Sequence, residues 1–241
     1  MGTHLKTIGA GALAALAMSA AMASAAHAAE FTAEKYPAVI TGHVEKIVLE
    51  AGGGILESTT GTTVRCAEET EEGTLAMKSR FLLSTIHKGQ CTSSLGFTAS
   101  YALNGCDFTF EAGEATSEEE AHGTMGIVCP AGKSITVTAG TCVIHIPAQV
   151  GLTGIKFTNK PGDAKTPKPW TTVDVDVNDQ IRYVETDGFL CPFSSSGEGS
   201  NGDFETLIEM KAYEDKGNQA HPTTANKVQY KEGAAVGMHV K

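Results

Sequence analysis

The sequence predicts an all-β fold, arranged as a disulfide-braced antiparallel β-sandwich. Apolar residues alternate with polar ones in many short runs rich in Val, Ile, Thr, Phe and Tyr, a pattern typical of half-buried strands. Turn-forming residues separate these runs, and 6 cysteines supply the bracing. The chain length leaves open whether the strands form one large β domain or two small related ones.

The first element along the chain is a predicted secretory signal peptide at residues 1–28. Lys6 supplies a positive charge, residues 8–23 form an apolar run, and Ala26-His27-Ala28 matches an A-x-A cleavage site. We therefore expect a secreted, extracellular protein that is either released or held at the cell surface. No later apolar run approaches the ~20 residues of a membrane-spanning helix, so we expect no transmembrane anchor.

The strands follow from the period-two pattern, and the turns follow from Gly, Pro, Asn and Asp between them. The predicted strands are Val44–Leu49, Thr74–Ile86, Phe97–Leu103, Cys106–Phe110, Ser134–Thr138, Cys142–Ile146, Leu152–Phe157, Thr172–Val177, Ile181–Glu185, Phe204–Tyr213 and Ala235–Val240. The predicted turns are Asn104-Gly105, Pro130–Gly132, Asn178-Asp179, Asp187-Gly188 and Asn201-Gly202. Solvated loops are expected at residues 111–122, 159–169 and 194–202, and no regular structure is expected at 215–231.

Two distant segments resemble each other and suggest two related β halves. Residues 44–50 resemble residues 178–185, and each segment is followed by an apolar stretch that ends in cysteine. We accordingly divide the mature chain into residues 29–115 and 116–241. Chance similarity between short strands is the competing explanation.

The charge balance restricts the partners of the protein. The chain has 18 Lys and Arg against 28 Asp and Glu, a formal net charge of −10. This charge disfavours nucleic acid and other polyanions as partners. The acidic side chains at residues 68–72 are expected to lie on a solvated face.

The cysteines divide into three that end an apolar stretch and three that follow a glycine turn. Spacing alone leaves the connectivity open, but pairing each cysteine with its neighbour joins one member of each type every time. No C-x-x-C pair occurs, so metal ligation is disfavoured. The preferred pairs are Cys66 with Cys91, Cys106 with Cys129, and Cys142 with Cys191.

Four short motifs carry a resemblance to known proteins. They are Asn104–Phe110, Val128–Ile135, Ile144–Gln149 and Asp187–Phe193. In these motifs the chain resembles exported, cysteine-containing, β-rich proteins of unknown function from high-GC Gram-positive bacteria. The resemblance implies export, cysteine bracing and a β-rich fold, and it carries over no catalytic residue.

An acidic segment is the strongest candidate for metal chemistry, because its oxygen-bearing side chains have the one, three, five, twelve spacing of an EF-hand calcium loop. Asp179 stands where that loop needs glycine, so the favoured alternative is a hairpin over residues 172–185 with its turn at Asn178-Asp179. A weaker Ca²⁺ site that also uses Glu118–Glu120 stays open. The candidate metal ligands are Asp174, Asp176, Asn178 and Glu185.

Trp170 is the only tryptophan, and it ends a loop rich in lysine and proline. An aromatic ring beside lysines can stack on a sugar or hold an acidic polymer. The candidate ligand-binding residues are therefore Trp170, Lys160, Lys165 and Lys168. The alternative is that Trp170 caps the core beneath the loop.

No serine elbow and no H-E-x-x-H pattern occurs, and His145 alternates with isoleucines as an ordinary strand residue. We therefore expect an exported, non-catalytic β-sandwich protein with a structural or binding role at the cell envelope. Its expected partner is an envelope component or a glycan. The alternative is a secreted hydrolase that acts on a cell-wall or glycan polymer through paired carboxylates.

Overall fold

The computed structural model of the protein describes residues 28–49, 64–66, 69–87, 91–94, 96–186, 198–216 and 232–241. Residues 1–27, which hold almost all of the predicted signal peptide, lie outside the described residues. The predicted all-β, antiparallel, disulfide-braced class is confirmed, since the regular structure in the described ranges consists of strands. These ranges contain no helix that is long and apolar enough to cross a membrane.

The strands are numbered in chain order. The first eight are β1 (Phe31–Ala33), β2 (Ala38–Leu49), β3 (Val64–Cys66), β4 (Glu69–Leu75), β5 (Phe81–His87), β6 (Cys91–Ser93), β7 (Thr98–Ala102) and β8 (Asp107–Ala115). The others are β9 (Glu120–Val128), β10 (Ser134–Ala139), β11 (Cys142–Pro147), β12 (Gln149–Lys160), β13 (Trp170–Thr186), β14 (Glu198–Asp215), β15 (Glu232–Val236) and β16 (Met238–Val240).

Three long strands organise the sheet, because β2, β13 and β14 change neighbours along their length. One circuit of hydrogen-bonded strands runs β2-β4-β5-β8-β9-β12-β13-β14 and returns from β14 to β2. A second circuit runs β2-β3-β6-β7-β10-β11-β13-β14 and closes in the same way. Both circuits therefore share β2, β13 and β14, and closure leaves few strand edges unpaired in the described residues.

The core lies on the inner faces of these circuits. On β13 the alternate residues Val173, Val175 and Val177 are completely buried. Phe31 on β1 packs edge-to-face on Phe157, with 5.2 Å between ring centroids. Because β1 pairs with β16 near the other end of the chain, the two terminal strands together contribute their apolar side chains to this core.

Two of the three predicted disulfides are confirmed, and strand register explains them. Cys66 and Cys91 lie directly opposite each other on β3 and β6. Cys106 and Cys129 lie one position beyond the last pair of the β8–β9 hairpin. The third predicted pair involves Cys191, which lies outside the described residues.

The hairpin predicted over residues 172–185 is wrong, because these residues belong to the single strand β13. Asn178-Asp179 forms an irregularity in the β13–β14 pairing instead of a turn. Asp179 has a positive φ of 53°. Its backbone N–H donates to the carboxylate of Asp203 on β14, so the neighbouring strand holds the irregular backbone and the chain continues in its original direction.

Further segments differ from the sequence prediction because pairing with distant strands overrides local composition. The predicted strand Thr74–Ile86 is divided into β4 and β5, and most of the loop predicted at 111–122 belongs to β8 and β9. Asn201-Gly202 lies within β14, whereas the turn predicted at Asn104-Gly105 is confirmed by positive φ at both residues.

Glu71 overturns the expectation of a solvated acidic face at its position. Its side chain is 2% exposed and accepts a hydrogen bond of 3.1 Å from the Ser84 hydroxyl. Gly42 lies against it, because a Cβ at that residue would be 3.0 Å from the Cβ of Glu71. The inward position of Glu71 on β4 therefore follows from strand alternation, and Ser84 supplies one of the hydrogen bonds that the buried carboxylate needs.

Side-chain amides bridge β12 and β13 where their regular pairing stops. Gln149 on β12 accepts from the N–H of Arg182 at 2.9 Å and donates to the carbonyl of the same residue at 3.2 Å. Gln180 on β13 makes the same two kinds of hydrogen bond to β12. It accepts from the N–H of Thr153 at 2.8 Å and donates to the carbonyl of Thr153 at 3.3 Å. Each amide thus replaces a missing strand neighbour, which keeps the two strands in position beside the candidate site.

Candidate functional site

The outer surface contains an open cleft of about 370 Å³ between the ends of β11, β13 and β14. This volume falls within the roughly 300–1,000 Å³ that is usual for small-ligand sites. The lining combines apolar surface with a cation, an anion and hydroxyl groups. Its residues are Pro147, Arg182, Tyr183, Val184, Glu198, Gly199 and Ser200.

Gln149 fixes the relative position of two walls of the cleft. The side chain is buried, and its amide holds the backbone of Arg182 on both sides. The same amide nitrogen lies 3.4 Å from the carbonyl of Pro147, at the end of the neighbouring strand β11. Glutamine supplies both a donor and an acceptor, so it joins β11 and β13 beyond their last direct pair, His145 with Val184.

Tyr183 and Gly199 form the floor of the cleft. Tyr183 is 2% exposed, and a Cβ at Gly199 would lie 2.2 Å from its ring. The absence of a side chain at Gly199 therefore allows β14 to approach the tyrosine ring closely. The floor is rigid, because the ring is enclosed by the two strands that pair at this point.

A row of polar side chains continues from the cleft across the outer faces of β10, β11 and β13. His145 Nδ1 lies 3.3 Å from the hydroxyl oxygens of Ser134 and Thr136, and its Nε2 lies 3.0 Å from Oγ1 of Thr186. These three partners of His145 are all hydroxyl groups. His145 was expected to be an ordinary strand residue, and its outward, half-buried position on β11 agrees with that expectation.

Trp170 and the three candidate lysines lie at the opposite end of β13 from the cleft. Arg182 lies twelve positions beyond Trp170 on the same strand, which corresponds to roughly 40 Å. Trp170 is half-buried, and the ammonium of Lys211 lies 5.5 Å from the centre of its ring. The indole N–H is buried without a hydrogen-bond partner in the described part of the chain.

The lysines around Trp170 have separate environments. Lys160 is opposite Trp170 in the β12–β13 register. Lys168 forms an ion pair of 2.6 Å with Glu34, and this contact lowers the pKa of that carboxyl. Lys165 lies in an exposed turn where its N–H donates to Asp163 at 2.7 Å. The structure thus brings Trp170 and Lys160 together, while Lys168 is engaged with the β1 side of the molecule.

The four candidate calcium ligands are distributed along β13. Asp174 forms a 3.9 Å ion pair with Lys156, and Asp176 accepts a 2.7 Å hydrogen bond from Asn178. Glu185 lies eleven positions beyond Asp174 on the same strand, a separation of roughly 35 Å. The structure therefore does not bring these four side chains together. Within the described ranges, no group of three or more His, Cys, Asp or Glu side chains is placed to hold a metal ion.

Asp203 is a further carboxylate that the sequence analysis did not select. It is 4% exposed, and burial raises its pKa, with the negative charges of Asp179 and Asp176 adding to the effect. The hydrogen bond from the Asp179 N–H acts in the opposite direction. Its position beneath the β13 irregularity gives this carboxylate a structural role at a backbone group that regular pairing leaves unpaired.

No protein-family model, curated protein or solved structure matches this chain. The candidate site therefore depends on the geometry of these residues.

Sequence reasoning missed the cleft because its residues come from three separate strands. Gln149, Arg182 and Ser200 have no characteristic spacing, and the motif Ile144–Gln149 carries over no catalytic role for Gln149. One signal was available: Gln149 is a polar residue two positions after Pro147 in a mostly apolar stretch. A glutamine that is buried on a strand needs hydrogen-bond partners, and Gln149 is buried.

Proposed function

We propose that this chain is an exported protein with a non-catalytic binding role at the cell envelope, and that the cleft between β11, β13 and β14 holds its ligand. The observation that supports the proposal is the link that Gln149 makes between Pro147 and Arg182. A site whose walls are held by buried hydrogen bonds loses little conformational entropy when a ligand enters.

Export is supported by the first 28 residues of the sequence and by the disulfides. The positive residue, apolar run and A-x-A site match a secretory signal. Disulfides such as Cys66–Cys91 and Cys106–Cys129 persist in oxidising compartments. An extracellular protein that carries a preformed outer cleft is suited to bind the polymers that surround a cell.

The test is retention of the purified, oxidised mature protein on cell-wall preparations and insoluble glycans, washed at low and high salt. We expect the wild type to be retained at both salt concentrations without degrading the polymer. Arg182→Met should reduce the retention constant about tenfold, because a hydrogen-bonding cation is lost from the cleft while its aliphatic stem is kept.

Arg80→Met is the matched control, since Arg80 is exposed and pairs with Glu111 outside the cleft. Trp170→Ala examines the other candidate surface. Failure of the wild type to bind any envelope material would refute the envelope role, and release of soluble sugars would favour the hydrolase. Loss of retention in Trp170→Ala but not in Arg182→Met would transfer the binding site to Trp170.

A further inference from the structure

The polar row beside the cleft forms a connected chain of hydrogen bonds. Asn104 Nδ2 lies 2.9 Å from the carbonyl oxygen of Ser134 and 2.9 Å from Oγ1 of Thr136. Thr136 in turn lies 3.3 Å from His145 Nδ1, and His145 Nε2 lies 3.0 Å from Thr186. The chain therefore runs from the Asn104 turn across β10 and β11 to the end of β13.

The carbonyl of Ser134 fixes the direction of the bonds that Asn104 makes. A carbonyl only accepts, so the amide nitrogen of Asn104 must face Ser134, and it therefore also donates to Thr136. The Thr136 hydroxyl can pair with His145 Nδ1 either as donor or as acceptor. A neutral imidazole donates from one ring nitrogen and accepts at the other, so His145 links Thr136 to Thr186 in either tautomer.

Thr186 is the exposed end of this chain of hydrogen bonds. It lies at the end of β13, and its Oγ1 is 3.0 Å from His145 Nε2. A hydroxyl both donates and accepts, so the exposed Thr186 suits a hydroxyl or ether oxygen of a ligand. The row is joined to the cleft because His145 pairs in register with Val184, which lines the cleft.

The charges and strand edges of the region restrict the class of ligand. Arg182 and Glu198 contribute opposite formal charges to the lining, and the whole chain has a net charge of −10, so a polyanion is disfavoured. β11 pairs with β10 on one edge and with β13 on the other, so an extended peptide cannot add to β11 as a further strand.

We propose that the cleft and the polar row together bind a neutral, polyhydroxylated chain, that is, an uncharged glycan. This inference rests on the proposed binding function and specifies its ligand. Arg182, Glu198 and Thr186 donate to and accept from sugar hydroxyls, and Pro147 and Val184 contact the C–H faces of the rings. Orientation comes from the polar groups, and the apolar residues exclude water.

The experiment is an NMR titration of the oxidised, ¹⁵N-labelled mature protein with soluble cello- and malto-oligosaccharides. Poly-L-glutamate and a short valine-rich peptide are titrated as representatives of the competing classes. We expect saturable shifts at Arg182, Val184 and Thr186 with at least one oligosaccharide. Thr186→Val should weaken binding about fivefold to tenfold, because it removes one hydroxyl with little change of shape.

Thr124→Val is the matched control, since Thr124 is a half-buried threonine on β9 outside the cleft, and we expect unchanged affinity. Equal affinity in the Thr186 and Thr124 variants would overturn the role of the row. Shifts with poly-L-glutamate or the peptide alone would overturn the ligand class. If Arg182-dependent retention on cell walls persists while neither oligosaccharide shifts the cleft, the binding function stands and the glycan inference fails.

Discussion

The side chain of Asn159 pairs with the backbone of Val240 as a neighbouring strand would. Its Nδ2 donates to the Val240 carbonyl and its Oδ1 accepts from the Val240 N–H, each at 2.8 Å. The opposite edge of β16 pairs with β1. A single amide 81 residues away in the sequence therefore secures the terminal ribbon whose Phe31 and Met238 enter the core.

Replacing Asn159 with alanine is expected to destabilise the protein by roughly 2–4 kcal/mol, since both polar backbone groups of a buried residue lose their partner. The measurement is the free energy of unfolding from urea titration. Asn178→Ala is the control, because that exposed amide contacts only the Asp176 carboxylate in the geometry described, and its effect should be within about 0.5 kcal/mol. Equal effects of the two substitutions would contradict the role of Asn159 in holding the Val240 backbone.

Removal of the Cys66–Cys91 disulfide by a double alanine substitution should cost about 3–4 kcal/mol, since the bond closes a loop with a sequence separation of 25. The same substitution at Cys106 and Cys129, with a separation of 23, should have a similar effect. Unfolding under non-reducing conditions measures both. A loss below about 1 kcal/mol in either variant would show that strand pairing alone holds that region.

Two glycines on β12 should respond differently to alanine. Both have positive φ, 76° at Gly151 and 93° at Gly154. A Cβ at Gly151 meets no atom within 4 Å, whereas one at Gly154 would lie 1.9 Å from the carbonyl oxygen of Asp176. We expect Gly151→Ala to lower the free energy of unfolding by roughly 1–2 kcal/mol through backbone strain. Gly154→Ala should lower it by at least about 4 kcal/mol, because β12 and β13 would have to separate.

Comparable melting temperatures for the two glycine variants would contradict the close approach of β12 and β13. Amide hydrogen exchange supplies an independent readout. We expect faster exchange along the β12–β13 pairing in Gly154→Ala and little change there in Gly151→Ala.

The raised pKa of Asp203 predicts a specific pH dependence of stability. A folded-state pKa above the unfolded value means that the folded state binds more protons, so this group's contribution to stability falls as pH rises from the unfolded value through the folded one. Asp203→Asn removes that contribution and keeps an acceptor for the Asp179 N–H. We therefore expect this variant to be more stable than the wild type at neutral pH and to lose that advantage in acid.

Asp203→Ala provides the contrast, because it removes both the charge and the acceptor. It should cost roughly 1–3 kcal/mol at neutral pH, since the Asp179 N–H is left unsatisfied. Unfolding titrations of the three proteins between acidic and neutral pH decide the matter. If the free energy of unfolding varied with pH identically in the wild type and in Asp203→Asn, the raised pKa of Asp203 would be refuted.

The local patterns that predicted strands were correct where alternation and burial agree, as at residues 134–138 and 142–146. The neighbour pairing of Cys66 with Cys91 and of Cys106 with Cys129 was also predicted correctly, since short loops and adjacent strands bring such cysteines together. The turn predicted at Asn178-Asp179 failed because Asn and Asp also suit an irregular backbone inside a strand, and only Asp203 on the adjacent β14 distinguishes the two.

The sequence by itself determined the strand class, the cysteine partners of two disulfides and the acidic charge, because these depend on composition and on residues close together in the chain. The tertiary structure decided three features: the closure of the sheet through β2, β13 and β14, the hydrogen bonds of Asn159 to the Val240 backbone, and the cleft held by Gln149. Each of these depends on contacts between residues far apart in the sequence. Such contacts leave no periodic signal in a single chain, because either partner alone is an ordinary strand residue.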